Sequence, residues 1–288
     1  LPLLIAELTI GRRGRLSPIG STRAVAREAG RSKHWGAVGG IAIVAVFMVL
    51  GFYAVVAGWT FDYFVKAAIG SFAGISSTES GALFDELLAS PFRMALWQLL
   101  VIALVVFIVA RGLHSGVERS AKIFMPLLFI CLLLLVIYAC FTGDLAATYS
   151  FMIQPDFAKV TLPVILAAVG QAFFSIGLAF AAMMTFGSYL DSDVSIPKSA
   201  TLLVVGDTTV AILAGFAIFP IVFAYGLAPS GGPGLVFKTL PLAFGQMHFG
   251  ALIGAVFFLL LMLGALTSCI GSFEPILRWA EEKWEISR

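Results

Sequence analysis

Charge is scarce in this chain: only 12% of its 288 residues are Asp, Glu, Lys or Arg, where a soluble domain averages about 25%. That shortage, with 60% hydrophobic residues, excludes an ordinary soluble enzyme and points to an integral membrane protein. Histidine is nearly absent as well. His34, His114 and His248 lie at the edges of apolar stretches, where a solvated or interfacial role outweighs catalysis. Cysteine is no richer: Cys131, Cys140 and Cys269 sit inside apolar spans without paired spacing or a nearby His, so they read as buried thiols, neither disulfides nor metal ligands. No HExxH, nucleophile elbow, phosphate-binding loop or dinucleotide fingerprint occurs. Nor is there a basic-aromatic surface of the kind that binds nucleic acid. The sequence therefore gives an enzyme no support.

What is present is apolar length. Uncharged runs fall at Gly36–Phe61, Met94–Ala110, Ile123–Gly143, Val160–Leu190, Thr208–Phe237 and Phe249–Phe273. A spanning helix needs about 20 apolar residues, so each run holds one helix. The predicted elements are a helix remnant at 1–11 and helices at about 36–64, 92–111, 121–143, 161–190, 197–225 and 249–277. All belong to one transmembrane domain over 1–288, and the fold class is all-α, a polytopic membrane helix bundle. The opening LPLLIAELTI begins apolar at once, without a basic n-region, and reads as a helix cut in its middle. Fourteen of the 18 basic residues fall on one side of this arrangement: seven between Arg12 and Lys33, then Arg111, Arg119, Lys122 and Lys198, and finally Arg278, Lys283 and Arg288. The positive-inside rule makes that side cytoplasmic, the C-terminal tail included, and the cell membrane is the expected location.

Between these helices, the loop over 224–248 contains APSGGPG, readable as a plain connector or as a packed lid. The LVFKTLPLAF after it is apolar enough to dip toward the membrane. The Gly36/Gly40 pair has the spacing of a small-residue helix contact.

Polar residues inside the apolar runs carry the functional information, because a polar group facing lipid is costly. The stretch AAVGQAFFSIGLAFAAMM places Ser175-Ile176-Gly177 at mid-span. Either the helix unwinds there and frees backbone groups for an ion or a charged solute, or Ser175 bonds back to its own helix and Gly177 only permits close packing. GALTSCIGSFEP, Gly264–Pro275, sets two adjacent hydroxyls, Thr267 and Ser268, in a very apolar span. With a neighbouring carbonyl they could form half a sodium shell, or they could simply bond their own helix carbonyls. Asp207, in TLLVVGDTTVAILAGF, follows Lys198 by nine positions, roughly 13 Å along a helix. A carboxylate at that depth needs a cation, a proton or a partner.

Taken in order, these segments resemble the neurotransmitter:sodium symporter family, above all its bacterial amino-acid transporters. LPLLIAELTIGRRG is similar to the end of the family's second helix, GFYAVVAGW to its third, GVERSAKIFMP to the start of its fifth, AAVGQAFFSIGLAF to its broken sixth and GALTSCIGSFEP to its eighth. The resemblance implies part of a LeuT-like inverted-repeat fold, from the end of helix 2 through helix 8. It implies sodium-coupled symport of an amino acid by alternating access. The first helix and those after the eighth lie outside the chain, so this chain alone is not expected to transport.

At the substrate site the resemblance implies Tyr53 holding the carboxylate, Val49 on the apolar side, and Phe174 and Phe180 enclosing the side chain. Ser175, Gly177, Ser268 and Ser272 complete that site; Gly177 leaves room for a larger or aromatic substrate side chain. Two sodium sites are implied: Ser175 and Asp207 at the first, and the Gly264 carbonyl with Thr267 and Ser268 at the second. Gln171 matches an anion-site residue of chloride-dependent relatives. Ala211 stands near the position of their anion-binding Ser, and Asp207 would supply a fixed negative charge, so chloride is not expected to be required. Glu282 is similar to a cytoplasmic gate acid. A proton-coupled carrier using Asp207, and a non-transporting membrane scaffold whose polar residues only glue helices together, are the alternatives.

Overall fold

The computed structural model describes residues 1–229 and 231–285. Among the described residues all regular structure is helical. The short helix α1, Pro2–Gly14, ends with Arg12 and Arg13 in its last turn and Arg15 in a left-handed conformation, basic groups facing the negative pole of the helix dipole. The basic linker that follows is not irregular, because Pro18–Glu28 forms α2. Ser17 starts it, accepting the Gly20 N–H at 3.2 Å, with Pro18 at the first helical position, a pairing that preorganises a helix start.

Helix α3, Gly36–Ala68, runs 33 residues, about 50 Å, well past the thickness of a hydrocarbon core. Ser76 opens α4, Ser77–Leu88, in a reciprocal capping box with Glu79, which satisfies two otherwise orphaned N–H groups. Helices α5 (Pro91–Val109), α6 (Arg119–Thr142) and α7 (Leu145–Met152) follow. The span expected at 161–190 is two helices, α8 (Leu162–Ile176) and α9 (Ala182–Tyr189). Then come α10 (Ile196–Ala224), α11 (Leu240–Gln246) and α12 (Gly250–Trp284). Five stretches are long and apolar enough to cross a membrane among the described residues: α3, α5, α6 with its lead-in, α10 and α12. At 15 residues, about 22 Å, α8 falls short of a 30 Å core, so only α8 and α9 together could cross.

The α3–α12 seam is the spine of the bundle; α9 packs on α1, and α10 on α6. One core lies at the C-terminal end of α3, where Tyr63, Phe72, Phe84, Phe237, Phe244 and Phe258 are buried together. Phe84 and Phe237 stack with centroids 5.2 Å apart. LVFKTLPLAF therefore packs inward, burying Phe237, Leu240 and Phe244. Ser230, inside APSGGPG, lies outside the described residues. Beside this core Asp62, 1% exposed, accepts from Arg93 (2.6 Å) and Trp97 Nε1 (2.9 Å) and pairs with Lys66 (3.0 Å).

One thiol departs from expectation. Cys131 and Cys269 are buried, but Cys140 is exposed. It lies on the outer face of α6 beside Ile137 and Phe141, which are themselves 54% and 86% exposed.

Candidate functional site

The site grows from the interruption between α8 and α9. Gly177 ends α8 with φ +74°, and the Gly177 and Leu178 N–H groups turn back to the Phe174 and Phe173 carbonyls at 3.1 and 2.9 Å. A left-handed cap of this kind suits glycine. Ala179 and Ala181 then adopt φ +66° and +64°, each a strain of roughly 1–2 kcal/mol for a residue with a Cβ. Something outside the segment must hold it. Glu7 on α1 does so, accepting the Ala179 N–H at 2.8 Å. Beyond the break, α9 lies directly on α1. A side chain on Gly11 would run into the Met184 carbonyl, and one on Gly187 into the backbone of Leu8, so these two glycines set the closeness of the seam.

A cavity of about 420 Å³ opens against the break. Val46, Val49 and Tyr53 of α3 form one wall, and Ser268, Gly271 and Ser272 of α12 another. Gln171, Phe174 and Ser175 of α8, then Gly177, Phe180 and α9's Met183 and Phe186, close the third. Every position expected at the substrate site thus borders one cavity, and Gln171 does too. The Phe174 and Phe180 rings meet edge to face, centroids 6.3 Å apart. Space beside Gly177 is real: the nearest neighbour of a Cβ there would be the Met183 methyl at 4.0 Å.

Of the positions expected to hold ions, Ser175 and Asp207 are joined, the hydroxyl donating to Oδ1 at 2.5 Å. Asp207 does not border the cavity; it reaches it through Ser175. On α12 the Thr267 hydroxyl donates to the Gly264 carbonyl at 2.9 Å, so two of the three oxygens expected at the second site are bonded to each other, while Ser268 faces the cavity. All these donors are oxygens, the set a hard cation prefers. Among the described residues no cluster of three or more His, Cys, Asp or Glu side chains is arranged to hold a metal.

Sequence reasoning missed Glu7, Met183, Phe186 and Gly271. Glu7 was legible in principle, as the lone acid in LPLLIAELTI; Met183 and Phe186 line the cavity because the chain breaks and turns into α9, and Gly271 because it shares the α12 wall with Ser268 and Ser272. Two residues past Ser272, Glu274 accepts the Tyr189 hydroxyl at 2.7 Å, and near the C-terminal end of α12 Glu282 accepts the Ser17 N–H at 2.6 Å.

A family profile described as "Sodium:neurotransmitter symporter family" matches residues 90–287. The chain belongs to that family. A curated relative, the uncharacterized sodium-dependent transporter YhdH of Bacillus subtilis, is 40% identical over 96% of this chain and 60% of its own length. A sodium-dependent transporter of Haemophilus influenzae is 32% identical over 100% of this chain and 64% of its own length. The crystal structure of MhsT in complex with L-phenylalanine superposes with a TM-score of 0.89 at 38% identity, covering 99% of this chain and 64% of that one. The chain spans about three fifths of the relatives it matches. This symporter-family chain is a multi-pass membrane protein of LeuT-like fold, and its family is one of transporters, not enzymes.

Proposed function

We propose that the protein containing this chain carries an amino acid across the cell membrane by sodium-coupled alternating access, with the C-terminal end of this chain on the cytoplasmic side. The observation that carries this reading is the break at 177–181, around which α3, α8, α9 and α12 enclose one cavity. Unwound backbone is tolerated at membrane depth where it lines a cavity, and its freed N–H and carbonyl groups suit a zwitterion and a cation.

In this reading Tyr53 donates its hydroxyl to the substrate carboxylate, while Val49, Phe174 and Phe180 surround the side chain. The empty volume beside Gly177 favours a bulky apolar side chain. MhsT, 38% identical, was crystallised with L-phenylalanine, which supports that class. Sodium at the first site takes Ser175 and Asp207. At the second it turns the Thr267 hydroxyl from its helix bond, so that the Gly264 carbonyl, Thr267 and Ser268 all face the ion. Bound sodium favours the conformation that accepts substrate, and the filled site favours the one that releases inward. The carboxylate of Asp207 already supplies negative charge next to Ser175, so chloride is not needed. The charge distribution between Arg12 and Lys33 and in the tail supports the orientation.

The test is uptake of radiolabelled phenylalanine and leucine into proteoliposomes holding the full-length protein. An inward sodium gradient should drive accumulation, and replacing chloride with gluconate should leave it unchanged. Accumulation that follows a pH gradient and ignores sodium would instead make it a proton carrier. No uptake of any amino acid would leave a scaffold.

A further inference from the structure

Seven basic residues lie between Arg12 and Lys33, and the fold sets one near the end of that run, Arg31, in the wall of a groove. Helix α2 crosses beside α1 and the start of α3, leaving a cleft of about 230 Å³ lined by Ile10, Val25, Ala26, Ala29, Trp35 and Val38, with Arg31 at its rim. Its floor is apolar; the Thr22 hydroxyl, also in the lining, is consumed by the Pro18 carbonyl at 2.8 Å. Arg31 lines the cleft and is exposed, and Lys33, between it and Trp35 in the chain, is exposed too; neither has an ion-pair partner among the described residues. The nearby acid does not neutralise them, because Glu28 is engaged by both Arg13 Nε (2.7 Å) and Nη2 (2.5 Å). Trp35 is 58% exposed where α3 begins, the position an interfacial indole takes in a membrane protein. Beyond it Val38 and Ile41, 49% and 71% exposed, continue the apolar stripe along α3.

We propose that this groove binds an anionic phospholipid. Its phosphate sits against Arg31 and Lys33, and one acyl chain lies over Val25, Trp35 and Val38 and runs down the α3 face. A cationic rim above an apolar trough that opens onto an exposed apolar stripe matches both halves of such a molecule. A soluble phosphate would satisfy the rim and leave the trough unfilled. A zwitterionic lipid would fill the trough but bring its own cation to the rim. Clustered basic residues at a membrane surface attract anionic headgroups additively.

The experiment is native mass spectrometry of the full-length protein in detergent, titrated with a phosphatidylglycerol, with a phosphatidylcholine of identical chains, and with inorganic phosphate. Phosphatidylglycerol adducts should persist at concentrations at least about tenfold lower than phosphatidylcholine adducts, the scale expected from two basic groups acting together. Combined Arg31→Gln and Lys33→Gln should reduce phosphatidylglycerol to the phosphatidylcholine level. Arg31→Lys with Lys33→Arg should retain it, which separates a lost headgroup contact from a lost fold. Trp35→Ala should weaken retention with the charges untouched. Equal retention of the two lipids overturns the proposal. So does a glutamine variant that still holds phosphatidylglycerol, or displacement by millimolar inorganic phosphate, which would make this a site for a free anion.

Discussion

Two stretches of α3 about 13 Å apart treat polar groups in opposite ways. Near its C-terminal end Asp62 is buried, with Arg93, Lys66 and Trp97 closed around it and the aromatic core alongside. Nine residues earlier Tyr53 borders an open cavity, where Ser175, Ser268 and Ser272 also present hydroxyls. A buried carboxylate with three partners holds one arrangement, because losing any of them strands a charge in a poor solvent. Hydroxyls on an open wall can exchange partners at little expense. The same helix thus fixes the frame with one end and offers exchangeable contacts with its middle.

The contrast can be tested from its strongest arm downward. Asp62→Ala should destabilise the full-length protein by about 3–5 kcal/mol, the range for breaking a buried ion pair, seen as a lower thermal midpoint. An unchanged midpoint would mean that the cluster does not lock α3. Gly177→Val should remove uptake while adding only roughly 1–2 kcal/mol of backbone strain; undiminished transport would break the assignment of function to the open wall. Asp207→Asn should raise the sodium concentration for half-maximal uptake at least about tenfold, equivalent to about 1.4 kcal/mol, and should make uptake respond to chloride. Thr267→Val should raise the sodium requirement a few-fold, in keeping with the roughly 1 kcal/mol of a single hydrogen bond.

The smallest effect concerns the Ser76–Glu79 capping box, whose hydrogen bonds from Ser76 hold the Glu79 carboxyl below its usual value. A lowered folded value means that its stabilisation is present above the unfolded pKa of about 4.3 and fades as pH falls through the lowered one. Thermal midpoints of the native protein and Ser76→Ala should therefore differ at pH 7 and converge toward pH 3.

Hydropathy made the helical class legible, since a run such as Phe249–Phe273 leaves little choice. It could not reveal α2, α4 or α11. These are short helices in polar or mixed sequence, and their signals are caps: Ser17-Pro18 for α2 and Ser76 with Glu79 for α4. The break was legible at Gly177 as one of two readings, but its continuation through Ala179 and Ala181 was not, because alanine favours helix and only the Glu7 contact and the α1 seam hold it otherwise. Asp207 stood out as an isolated acid, yet its bond to Ser175 joins residues 32 positions apart, and no local pattern encodes that. Cys140 went astray because an apolar helix in lipid exposes a full face, and hydropathy alone does not say which.

Backbone-to-backbone contact at Gly11 and Gly187 has a mechanical corollary. Two rods pressed together without intervening side chains cannot slide or roll independently, so α9 and α1 must tilt as a single lever. The give in that lever falls to the five residues 177–181, and a pair of spin labels across the seam should keep its spacing while a pair spanning the break does not.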